Sequence, residues 1–182
     1  MKHLFRRTFS YKDSKCTLVA DRQEGIIVAE ESIKQNRNQL EEYIVAHPRF
    51  AWTLTPVPIP ETPPAVRLMA QAAEKANVGP MAAVAGVLAD LGVKDMLAVG
   101  CKVAVIEDGG EVSAFSNVPI DVAFAAGDEA LSNRLGFRLT EFPTGIATSS
   151  GRFSHALSFG DAEAATIFCR DAGLADAAAT AV

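Results

Sequence analysis

The sequence predicts an α+β fold with a mostly antiparallel sheet packed against helices. Period-two apolar patterns lie towards both ends of the chain, with helical patterns between them. The regular strand–helix alternation of a doubly wound sheet is missing after residue 100. The sharpest turn signal, Asp108-Gly109-Gly110 between apolar runs, marks a hairpin rather than a crossover. Neither a glycine-rich dinucleotide fingerprint nor a P-loop is present.

The elements follow in order. Residues 4–20 carry short apolar patches around the polar stretch 11–15 and predict a hairpin. Over residues 26–46, Ile26, Ile33, Leu40, Ile44 and Val45 recur among acids and amides, which predicts a long surface helix. His47-Pro48 ends it, because a residue before proline is pushed out of the helical region. Residues 48–64 hold six of the nine prolines and form a connector. A helix over 65–76 places Val66, Met69, Ala73 and Ala76 on one stripe, closed by Asn77 and Gly79. Pro80 can open a second helix, 81–91, which is small, apolar and therefore buried. After Gly92 the period becomes two: strands over 102–106 and 111–115 flank the turn 107–110. Another strand is expected over 120–125, and a third pair, 154–159 with 164–169, across Gly160-Asp161. The chain closes on 174–180, one turn of helix, which predicts a truncated C-terminus. With 182 residues, 49% of them hydrophobic, one domain spans 1–182: hairpin and long helix to 47, connector 48–64, core 65–182.

Charge and cysteine usage exclude several classes. The net charge is -5, and it is uneven. Residues 1–50 hold nine of the 17 Lys and Arg and seven of the 22 acids; the remainder holds eight and fifteen. An acidic second part suits a metal ion better than a nucleic-acid backbone, and no nucleic-acid partner is expected. Cys16, Cys101 and Cys169 are far apart, without a zinc-type spacing, which fits a reducing cytoplasm. No apolar run follows Arg6-Arg7, and the most apolar stretch, 78–100, is broken by glycines and charges. Neither a signal peptide nor a membrane span is expected.

Four segments can carry chemistry. In the first, Gly79, Pro80 and Met81 open a helix whose free amides could seat a phosphate; the alternative is a plain helix joint. The second, Glu107-Asp108-Gly109-Gly110-Glu111, offers three acids around a double glycine, able to hold a hard cation or accept from a nucleotide, or simply to shape a turn. The third joins the consecutive hydroxyls Thr148, Ser149 and Ser150 to Arg152 and His155, a set that could line a diphosphate. The fourth sets Asp176 and Thr180 one helical turn apart, so that carboxylate and hydroxyl could share one cation; otherwise Asp176 is a helix cap.

Taken together, 47–48, 78–86, 145–151, 155–160 and 175–180 resemble the ApbE-like family of bacteria and archaea, distant relatives of the ApbE flavin transferases. The resemblance implies a T-fold type of α+β architecture, FAD and Mg2+ as cofactors, and movement of FMN from FAD onto a Ser or Thr hydroxyl. It places Mg2+ at Asp176 and Thr180, and sets Glu107, Gly109 and Gly110 beside the flavin nucleotide. There the family pattern is Glu-Asn-Gly-Gly-Asp, whereas this chain has Asp108 and Glu111, a trade of amide donors for charge. Glu163 likewise stands in place of Asp. The expected protein is a cytoplasmic, flavin-nucleotide- and Mg2+-dependent one, with Thr148, Ser149, Ser150 and Arg152 on the substrate side and His155 moving a proton. Two other readings stay open: a small-ligand or dinucleotide-binding protein without transfer, and a structural protein that completes its sheet as a homo-oligomer. Residues 78–82, 145–155 and 176–180 are expected to converge in space.

Overall fold

A computed structural model describes residues 4–123, 136–149, 158–160, 162 and 164–182. The first strands, β1 (Phe5–Tyr11) and β2 (Ser14–Ala20), form the expected hairpin, turning at Lys12 with φ of 52°. Helix α1 (Gln23–Ala46) follows, then a single turn, α2 (Arg49–Trp52), the proline-rich connector, and α3 (Pro64–Ala76). Ile26, Ile33 and Leu40, seven residues apart, point one face of α1 at the core, while Val45 stands 82% exposed. Asn77 closes α3 in the left-handed conformation, the role its position predicts.

A 3-10 turn, Pro80–Ala83, leads into α4 (Val84–Ala98). The predicted end at Leu91 is corrected here: α4 continues two more turns. Gly92 does not stop it but thins it against the sheet, since a Cβ there would lie 2.4 Å from Cδ1 of Ile106. Strands β3 (Val103–Asp108) and β4 (Glu111–Ser116) make the predicted hairpin, with Gly109 and Gly110 both at positive φ, 70° and 118°. β5 (Ile120–Ala123) pairs with β6 (Gly136–Leu139) as a separate ribbon. β7 (Thr144–Ser149), β8 (Ala165–Cys169) and α5 (Ala172–Ala181) complete the described elements.

All pairings are antiparallel, and the large sheet runs β1-β2-β3-β4-β7-β8. The expected fold class is observed. β8 pairs with β7, and of its expected partner, the strand 154–159, residues 154–157 lie outside the described residues. The single C-terminal turn is in fact a ten-residue helix, packed on α3, α4, β7 and β8. One face of the sheet carries the helices: Leu18, Ala20, Ala104 and Ile106 meet Ile33, Ala89 and Met96 in one cluster. Each such buried Leu, Ile or Met is worth about 1.5–3 kcal/mol over its exposed state. A second cluster lies between α3, α4, the end of α1 and Ala177. The three cysteines are free thiols, and no single described helix is long and apolar enough to cross a membrane.

Candidate functional site

Side chains on a strand alternate between faces, so the row Ala104, Ile106, Asp108 on β3 looks towards the helices. Asp108 pairs across the strands with Glu111, and Ile106 with Ser113, which puts Glu111 and Ser113 on that same face of β4. The hairpin thus delivers two carboxylates to the helix layer at its tip. Asp108 is 3% exposed and accepts a hydrogen bond from the Lys15 amide at 3.1 Å. Glu107 accepts from the Gly110 amide at 3.1 Å and braces the turn.

Helix α5 supplies the third carboxylate. Asp176 is half-buried and accepts from the Gly86 amide at 3.0 Å, which makes it a remote cap for α4. Burial pushes its carboxyl well up, the charges of Glu111 and Asp108 push the same way, and the amides of Gly86 and Ala85 oppose them. Glu111 is pushed up to about 7, first by burial and then by Asp108 and Glu107. No described Lys or Arg enters either balance. Glu111 and Asp176 oppose each other's charge away from bulk water, so the corner favours either a shared proton or a bound cation.

The helix crossing that holds this corner has a second junction. Asp90 on α4 accepts from the Ala172 amide at 3.0 Å, the Gly173 amide at 2.9 Å and the Ser113 hydroxyl at 2.6 Å. It therefore caps α5 just as Asp176 caps α4. The helices can do this because they cross at glycines: a Cβ on Gly86 would lie 2.2 Å from the Ala172 carbonyl oxygen, and one on Gly173 2.5 Å from Val87 Cγ2. Asp90 and Ser113 escape the sequence reading. The signal that could have found them is the recurrence of Ala85-Gly86-Val87-Leu88-Ala89-Asp90 as Ala172-Gly173-Leu174-Ala175-Asp176.

The predicted residues fare differently. The described parts of the three segments expected to converge do meet, because α5 packs against the Pro80–Ala83 turn, α4 and β7. The open amides expected after Pro80 are corrected: the Ala82 amide returns to Gly79 and the Gly86 amide goes to Asp176. Gly79 is needed for close packing, since a Cβ would lie 1.9 Å from the Thr53 carbonyl oxygen, and Met81 packs on the core. The hydroxyl run is not one cluster, because Thr144–Ser149 is a strand and its neighbours face opposite ways. Thr148 shares a 2.9 Å hydrogen bond with Thr166, while Ser149 is buried on the face that carries Ala147 and α5. Ser150, Arg152, His155 and Glu163 lie outside the described residues.

Thr180 is 9% exposed and donates to the Asp176 carbonyl at 3.3 Å, which sets its hydroxyl oxygen one turn from the Asp176 carboxylate. Asp176, Thr180 and Glu111 make an oxygen-only donor set, the kind that a hard cation such as Mg2+ prefers. Among the described residues no three His, Cys, Asp or Glu side chains are grouped to hold an ion by themselves. The residues fit a cation that completes its shell with water and ligand phosphates, as Mg2+ does.

Three comparisons bear on this geometry. The profile of a protein family described as AbpE bacteria matches residues 4–182. A UPF0280 protein of Methanococcus vannielii is 39% identical over 184 residues, covering 98% of this chain and 74% of that protein. A UPF0280 protein of Methanosarcina barkeri is 39% identical over 176 residues, covering 96% and 70%. Among solved structures, the flavin transferase ApbE from Vibrio cholerae superposes with a TM-score of 0.61 at 13% identity, covering 98% of this chain and 86% of that one. The apo form of the Pseudomonas stutzeri flavinyl transferase ApbE gives 0.56 at 16%, covering 98% and 83%. At those identities the likeness is one of fold.

Proposed function

The chain belongs to the family described as AbpE bacteria, and on that premise we propose that it binds a flavin dinucleotide with Mg2+ at the acidic corner and transfers FMN from FAD to a Ser or Thr hydroxyl. The observation that carries this reading is that Asp176, fixed by the Gly86 amide one turn from Thr180, feels the charge of Glu111 with no described Lys or Arg in the balance. Bound Mg2+ would supply charge neutralisation on the diphosphate oxygens. Asp176 and Thr180 would hold it from one helix face, where the Gly86 amide fixes the Asp176 carboxylate. In the transfer, the acceptor oxygen forms a bond to the flavin-side phosphorus, the diphosphate P–O bond breaks, and AMP leaves with that electron pair. The hydroxyl proton goes to His155, the residue to which the sequence gives that role. His155 and Arg152 retain their proposed places on the substrate side.

The extra charge of Asp108, with the altered Glu107–Glu111 segment, favours a second reading, nucleotide binding without transfer. Calorimetric titration of FAD into wild type and Asp176→Asn, with Mg2+ and with a chelator, tests the site. Asp176→Asn should weaken FAD binding by roughly tenfold in Mg2+ and little in chelator, the scale of one lost charge-assisted contact. Equal affinities in all four titrations would overturn the metal role. Incubation with FAD, Mg2+ and a Ser/Thr peptide, read by mass spectrometry, then decides between transfer and binding alone.

A further inference from the structure

The two junctions of the α4–α5 crossing are built alike, yet their surroundings differ in sign. At the Asp176 junction the residue offered by β4 is an acid, Glu111. At the Asp90 junction it is a hydroxyl, Ser113, and two lysines, Lys75 and Lys94, open to solvent there beside the exposed acid Asp171. This second junction floors a cleft of about 420 Å³ between α3, α4 and the start of α5. Leu68 and Ala72 of α3, Val93 and Leu97 of α4, and Leu174 of α5 give it apolar walls. Lys75 and Lys94 line it as well, both are exposed, and neither makes an ion pair among the described residues.

The acids of the cleft are already engaged. Asp90 has both oxygens occupied by three donors, and Asp171 accepts from the Leu174 amide at 2.9 Å. The Ala172, Gly173 and Leu174 amides at the start of α5 are therefore satisfied, and the cationic capacity of the cleft is the six ammonium hydrogens of its two lysines, with the Gln71 amide beside them. A cavity of this volume with apolar walls and few convergent polar groups is the ordinary form of a small-molecule site.

We propose that this cleft is a second ligand site, separate from the acidic corner, for a small organic acid: an apolar body on the α3–α4–α5 walls and one anionic group held by Lys75 and Lys94. It stands independently of the flavin reading, since none of its residues belongs to the Asp176 corner.

The anionic probe 8-anilinonaphthalene-1-sulfonate and the uncharged N-phenyl-1-naphthylamine share a similar body and differ in the anion. Both are titrated by fluorescence into wild type and the double variant Lys75→Gln/Lys94→Gln. Both lysines are exposed and without ion pairs, so the variant keeps the fold, which circular dichroism checks. The sulfonate should bind wild type and lose roughly tenfold or more in the variant, the scale of charge-assisted contacts, while the uncharged probe changes less than about twofold. Amide NMR shifts in wild type should centre on Gln71, Val93 and Gly173. Sulfonate affinity unchanged by the double substitution, equal losses for both probes, no sulfonate binding at all, or shifts centred on exposed Trp52 would each overturn the proposal.

Discussion

Asp90 and Asp176 sit on neighbouring helices, each capping the first turn of the other's helix, and each faces strand β4. Asp90 meets a hydroxyl donor in Ser113 and two amides, which oppose the burial that pushes its carboxyl up. Asp176 meets an amide on one side and two acids, Glu111 and Asp108, on the other. The backbone design is the same and burial pushes both carboxyls up, but three donors oppose that push at Asp90, whereas Glu111 and Asp108 add to it at Asp176. A junction needed only to hold helices together would be built like the first, because a buried carboxylate is stable when donors surround it. The second departs from that solution at the one place where the family likeness and the oxygen donors coincide.

The largest effect expected comes from the glycines that allow the crossing. Gly86→Ala should cost about 3 kcal/mol or more, since its Cβ would strike the backbone at Ala172 and Gly173 rather than a side chain. Gly173→Ala meets Val87 Cγ2 first, a side chain that can turn, and should cost nearer 1 kcal/mol. Urea unfolding of the two variants measures the difference. Equal costs would show that the two halves of the crossing are equally tight.

Next come the carboxylates themselves. Asp90→Ala orphans two amides and a hydroxyl and should destabilise by about 2–3 kcal/mol. Asp176→Ala loses one cap but also relieves like-charge crowding, so its stability change should stay within about 1 kcal/mol. If Asp176→Ala proved the more damaging, the acidic corner would be structural and its functional reading would fall.

The pH dependence sharpens the same contrast. Glu111 stands at about 7 in the folded protein against an ordinary 4.5. An acid raised on folding holds its proton longer in the folded state than in the unfolded one. Its contribution is therefore complete below pH 4.5 and is lost as pH rises to about 7. Thermal melts across that window should show stability falling with pH by about 1–2 kcal/mol, allowing for screening at a half-buried corner. Glu111→Gln should flatten part of the fall, leaving a remainder from Asp176 and Asp90, both of which burial also raises. Added Mg2+ should flatten the wild-type fall too, by binding the ionised form.

Much of the fold was legible because its signals are local. Asp108-Gly109-Gly110 can only turn tightly, His47-Pro48 must end a helix, and Asn77 accepts the left-handed conformation. The misses share another cause. In α4 and α5 the packing is carried by the absence of side chains, at Gly86, Gly92 and Gly173, and an apolar pattern does not register a missing Cβ. The same holds for Gly145, which lets α5 approach β7, its Cβ position lying 2.3 Å from the Ala172 amide. At the site, Asp176 was visible through Thr180 one turn on. That Glu111 faces it depends on strand register and on a helix arriving from 60 residues later, neither of which is written locally.

The smallest effect tests whether Ser113 belongs wholly to the structural junction. Its hydroxyl donates to Asp90 at 2.6 Å in a half-buried setting, a hydrogen bond to a charged acceptor. Ser113→Ala removes that donor but leaves both amides on Asp90, so the carboxylate stays paired and the cost should be about 1 kcal/mol in urea unfolding. Ser113 lies two residues along β4 from Glu111 on the same face, close enough that a general loosening of the strand would disturb both junctions. If the junctions are independent, Ser113→Ala lowers the unfolding midpoint while FAD affinity in Mg2+ and the Glu111-dependent pH slope stay at wild-type values. Should FAD affinity fall together with stability, the two junctions form one coupled unit. The contrast between a structural and a functional carboxylate would then have to be redrawn as a property of the whole α4–α5–β4 layer.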